Sequence, residues 1–284
     1  MSAAPTAEYS PVSSQPNLPT RRQGFGHVML AEWTKIRSVR STAWTLFLFV
    51  VITIGLTALF SWVSAANWNG LHAASRDARI LTDPVGFIFG AGIGLGQLTI
   101  CVLGVLVATT EYSSGVIRAS LLAVPKRYPM LAAKVAVFGL LVLVLAEIVA
   151  FGSFFVGSAI LHQHVVVTLS GPGVLRATLG AGLYLTVLGL LAMGVGALIR
   201  HTAGGISIII GVVLILPILT GLLPDQWFYN HLNAYLPQQA GSLIYAVHQS
   251  NTQLLSAWEG FGVLCIWAAL LLGVAAYLLD RRDA

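Results

Sequence analysis

Six stretches of this sequence run for about 20 residues each with almost no charge, the length an α-helix needs to cross a hydrocarbon layer ~30 Å thick. They lie near 43–64, 86–109, 135–161, 174–199, 205–223 and 260–279. Inside a bilayer the backbone must satisfy its own N–H and C=O groups, so runs this long and evenly apolar form helices. The composition agrees: 57% of the residues are hydrophobic and 9% charged, against about 25% charged in a soluble domain. The expected fold is an all-α integral membrane protein with six transmembrane helices.

Charge placement orients it. With the amino terminus inside, Arg21, Arg22, Lys35, Arg37, Arg40, Arg118, Lys126, Arg127, Lys134, Arg200, Arg281 and Arg282 all fall inside, which leaves only Arg76, Arg79 and Arg176 outside. Twelve of the fifteen basic residues on one side is the skew of the positive-inside rule, and it puts both termini in the cytoplasm. The same skew explains the net charge of +5 without a nucleic-acid partner; the expected surroundings are the lipid bilayer. Arg outnumbers Lys twelve to three in an Ala-, Gly-, Leu- and Val-rich chain, which points to a bacterial cytoplasmic membrane and a multi-pass protein. Cys101 and Cys265 both fall inside spans, where cysteine acts as a small apolar residue.

Residues 1–24 carry Pro5, Pro11, Pro16 and Pro19 among Ser, Thr and Gln and read as a disordered cytoplasmic tail. Over 25–41, Phe25, Val28, Met29, Trp33 and Ile36 recur at helical spacing with Lys35, Arg37 and Arg40 between them. That pattern predicts an amphipathic helix in the headgroup layer, with Glu32 interrupting its stripe; the competing reading is a charged extension of the first span. The membrane domain then occupies 42–284. Trp62, Trp68, Trp227 and Trp258 mark the outer interface. Before the last span, Ala240, Leu243, Ile244 and Val247 have helical spacing after Pro237, which suggests a short or re-entrant helix up to about Gln249. Pro217 predicts a kink in the fifth span.

The sequence lacks the residue sets of membrane enzymes. It has no phosphate loop of the G-x-x-x-x-G-K-[ST] type, no H-E-x-x-H and no G-x-S-x-G, so no catalytic residue, cofactor or metal is assigned and the chain does not read as an enzyme. Gly90, Gly92, Gly94 and Gly96 look superficially like a nucleotide loop but lie within a span, where small residues four apart serve helix packing. His162 and His164 alone do not close a metal site. Glu147 is the one acid near the middle of a span, where a charge is expensive. It is either a group on a substrate or proton path or a protonated or hydrogen-bonded structural carboxyl.

The only sizeable inner connection, 110–134, opens with Glu111-Tyr112-Ser113-Ser114-Gly115-Val116-Ile117-Arg118. That motif, the Ala31-Glu32-Trp33-Thr34-Lys35-Ile36-Arg37-Ser38 segment before the first span, and Tyr235-Leu236-Pro237 before the last resemble the ABC-2 type permease family, especially its actinobacterial members. The resemblance covers span count, topology and loop sizes over nearly the whole chain. It implies an exporter subunit that pairs with an identical or paralogous second permease and with two copies of a separate ATPase subunit. It further implies that Glu111, Tyr112, Gly115 and Arg118 form a coupling segment docking on the ATPase, with Glu32, Trp33, Lys35 and Arg37 contributing from the interfacial helix. The alternative is a secondary transporter or channel working without ATP, against which the scarcity of intramembrane ionisable groups counts. A membrane enzyme and a non-transporting assembly or sensor subunit are the remaining classes.

Overall fold

The computed structural model describes residues 24–68, 80–113, 127–222, 231–248 and 254–281. The tail expected over 1–24 therefore lies outside the described residues, apart from Gly24. Helix α1, Phe25–Ser38, stops at Val39, whose backbone is extended (φ −85°, ψ 111°), and α2 starts at once with Arg40–Ala66. The amphipathic segment is thus a helix of its own and not an extension of the first span. Next come α3 (Pro84–Ser113), α4 (Arg127–Leu161) and α5 (Val174–Ile199). The fifth span is built in three pieces: α6 (Thr202–Ile210), a π-helical turn over Gly211–Ile215, and α7 (Leu216–Gly221). A short α8 (Pro237–Ser242) continues as a 3₁₀ turn through Leu243–Tyr245, and α9 (Ala257–Arg281) closes the described chain.

Six of these stretches are long and apolar enough to cross a membrane, and among the described residues all regular structure is helical. The protein is an all-α, multi-pass membrane protein. Pro217 sits at the start of α7, directly after the π-helical turn. Proline removes one helical donor and collides with the carbonyl four residues back, and the widened turn before it is where that collision is absorbed.

The spans differ little in mean hydropathy, from 2.1 to 2.6, but greatly in burial: 67% of the most apolar stretch of α5 is buried, against 17% for the α6–α7 span. Glycines make α5 the hub. A β-carbon on Gly189 would stand 2.9 Å from Ile100 of α3, one on Gly194 3.0 Å from Leu271 of α9, and one on Gly196 3.0 Å from Val105 of α3. Each glycine admits a different neighbour to van der Waals contact, so the helix with the smallest side chains gathers the others round it.

Helix α2 uses another device. Its buried face is a hydroxyl stripe, with Thr53, Thr57, Ser61 and Ser64 all buried, set against α3. The four-glycine run divides accordingly. A β-carbon on Gly92 or Gly96 would overlap Thr53 or Thr57, whereas Gly90 and Gly94 have nothing within 4 Å. Only alternate glycines, four apart on one helical face, pack within this chain.

At the outer end, the segment before α9 is strapped down. Ala240 and Ile244 are fully buried, while the helical run ends at Tyr245 and does not continue to Gln249. Arg176, at the start of α5, donates to the carbonyls of Ile244 (3.1 Å) and Ala246 (2.9 Å). Asp83 accepts the Val247 N–H at 3.1 Å and the Gly86 N–H at 2.8 Å. Buried Tyr184 of α5 donates its hydroxyl to Gln97 of α3 and meets Tyr245 edge-on at 5.4 Å.

Candidate functional site

The amphipathic helix α1 buries Val28, Glu32 and Ile36, three residues one turn apart on one face. Glu32 does not interrupt the buried stripe; it is the stripe's centre. Burial of a carboxylate is tolerated when it is paired, and two lysines meet it here. Lys35, one turn on in the same helix, reaches Oε1 at 2.7 Å, and Lys134 of α4 lies 3.5 Å from Oε2. Lys134 is itself buried, its side chain 6% exposed, while that of Lys35 is 35% exposed. Thus Lys134 ties α1 to the inner end of the third span, and Lys35 caps the pair from the rim. Trp33 and Arg37 lie on the opposite, exposed face of α1.

A second clasp joins the inner ends of α3, α5 and α6. The guanidinium of Arg200 lies 5.0 Å from the centre of the Tyr112 ring, a cation–π distance. The hydroxyls of Thr109 and Thr202 are 2.8 Å apart. Between α5 and α6 only Arg200 and His201 intervene, and Arg200 takes the left-handed backbone conformation (φ 56°). His201 caps α6 by accepting the Gly204 N–H at 3.2 Å through Nδ1. Of the four coupling residues expected from the sequence, Tyr112 is therefore part of this clasp, and Glu111 stands in the last turn of α3 with its side chain outside the description. Gly115 and Arg118 lie outside the described residues.

Glu147 presents the opposite case. It lies near the middle of α4, and its carboxyl rests on Gly182 of α5, where a β-carbon would collide with it. Its Oε2 is buried without a hydrogen-bond partner. Gln97 is engaged with Tyr184 and with the Gly94 carbonyl, and Arg176 is occupied at the outer strap. The Gly182 carbonyl accepts the Thr186 hydroxyl at 2.8 Å.

At the outer surface His164 stacks on Trp68, with ring centres 4.1 Å apart. Among the described residues no three His, Cys, Asp or Glu come together as a metal site would require. Sequence reasoning missed the partnership of Lys134 with Glu32; a signal existed in the Val28-Glu32-Ile36 spacing, which places the acid among apolar residues. No family model matches the chain, and no curated protein matches it.

Proposed function

We propose that this protein is the membrane-spanning permease subunit of an ATP-driven exporter, working with a separate ATPase subunit and a second permease. The observation that carries the reading is the charged tie between α1 and α4. A membrane helix bundle with no partner on its inner side gains little from anchoring a separate amphipathic helix through a buried ion pair. A bundle that must transmit a push gains a great deal. The segment between α3 and α4 leads directly into α4, and Lys134 lies in the second turn of that helix. Displacement of this segment by an ATPase would move α4, and through Lys134 and Glu32 it would carry α1 along as one body. The Tyr112–Arg200 and Thr109–Thr202 contacts extend the same linkage to α5 and α6. ATP binding and hydrolysis would then bias an inward/outward equilibrium of the paired permeases.

The test is purification of the tagged protein in mild detergent from its native cells, with identification of co-purifying proteins and an ATPase assay, alongside Glu111→Ala, Arg118→Ala and Glu32→Gln. Expected is a soluble ATPase that accompanies the native protein and is lost or uncoupled in the variants. A protein that purifies without an ATPase would remove the exporter reading and leave ion-driven transport through Glu147 as the next to test.

A further inference from the structure

We propose that Glu147 is the anchoring group for an apolar cation, a lipophilic molecule bearing an ammonium, phosphonium or guanidinium centre, which reaches it from the bilayer side of the α4–α5 seam. The inference deepens the transport reading and rests on it for its physiological meaning.

Three observations combine. The first is the missing partner: a carboxyl oxygen buried in a span without a hydrogen bond costs free energy whether ionised or protonated, because the acid's O–H also needs an acceptor. The second is the notch. Gly182 has no side chain to occupy the space where the Glu147 carboxyl sits. The carboxyl fills the notch, and the acid is still reached from outside, since Glu147 is only partly buried and is flanked by the exposed Val144 and Ile148 on α4 and Leu179 on α5. An apolar molecule can approach along these side chains.

The third observation is charge complementarity. Among the described residues, the basic side chains stand at the ends of the helices. Lys134 is held by Glu32, Arg176 by two backbone carbonyls, Arg200 lies on Tyr112 and Arg281 on Tyr277. The described residues of a second, identical copy would bring the same set, with no cation among them at the depth of Glu147. The described part of the chain thus supplies no complement, and one that arrives at that depth has to be soluble in lipid.

The experiment uses the full chain in lipid nanodiscs, without ATPase or nucleotide. Tetraphenylphosphonium is titrated in, with tetraphenylborate as an anion of the same shape. Wild type should bind the phosphonium saturably, and Glu147→Gln should weaken that binding about tenfold or more, as expected for loss of one charge-assisted contact. Glu147→Asp should retain most of the affinity, and Gly182→Leu, which fills the notch, should weaken it with the acid still present. Borate binding should be indifferent to the Gln change. Absence of saturable phosphonium binding, equal affinity in Glu147→Gln, or a change of oligomeric state in that variant would each overturn the proposal. Because no ATPase enters the measurement, its outcome is separate from the co-purification result on which the exporter reading stands.

Discussion

Glu32 and Glu147 are both acids taken out of water, and the protein treats them in opposite ways. Glu32 is surrounded by charge: two lysines, one of them nearly as buried as the acid, occupy both of its oxygens. Glu147 has a glycine for a neighbour and an oxygen with no partner. The first arrangement fixes the position of a helix, because a buried pair is costly to separate. The second leaves a carboxyl available. One acid is part of the frame; the other is kept free at a cost in stability.

The contrast is sharpest at Lys134. Replacing it with Ala should strand the Glu32 carboxylate and lower stability by about 3 kcal/mol, read as a drop in thermal midpoint in detergent and as protease access to α1. The double change Glu32→Gln with Lys134→Met should recover most of the loss; an unchanged midpoint in Lys134→Ala would dissolve the tie. Next in size is Gly182→Leu, where overpacking against the Glu147 carboxyl should cost about 2 kcal/mol. The same substitution made on Glu147→Ala should cost much less, and simple additivity of the two would mean that the carboxyl does not occupy the notch. Glu147→Leu should stabilise the protein by about 1 kcal/mol, since it removes an unpartnered polar group from an apolar site. A loss in that variant would reveal a partner for the acid and end the contrast. Smallest is Lys35→Ala, about 0.5 kcal/mol, because the lysine sits at a half-open rim. A loss there as large as at Lys134 would reverse the roles of the two cations.

The number and placement of the spans could be read from the sequence because burial in lipid leaves a signal in every residue of a run. Which span sits at the centre leaves only a faint mark there, since α3 and α5, the two most buried spans, have a mean hydropathy of 2.1 against 2.4 to 2.6 for the others. Lipid and protein interior are alike in polarity, so the clearer trace of centrality is side-chain size, visible in Gly180, Gly182, Gly189, Gly194 and Gly196. The separate helix before the first span was legible from its spacing, but the partner of Glu32 lies about a hundred residues away and leaves no local mark. Glu147 stood out by its chemistry alone. That its carboxyl rests on Gly182 depends on how α4 and α5 cross, which no single-helix pattern encodes.

The two-residue link between α5 and α6 also bears on how the chain enters the membrane. With only Arg200 and His201 between them, the inner ends of these helices stay within about 10 Å, so neither can be placed in the bilayer far from the other. The helix most in need of protein contacts is joined to the one most content among lipids. Insertion of the fourth span thereby delivers the fifth beside it, while the gap at Gly194 waits for α9, which follows later in the chain.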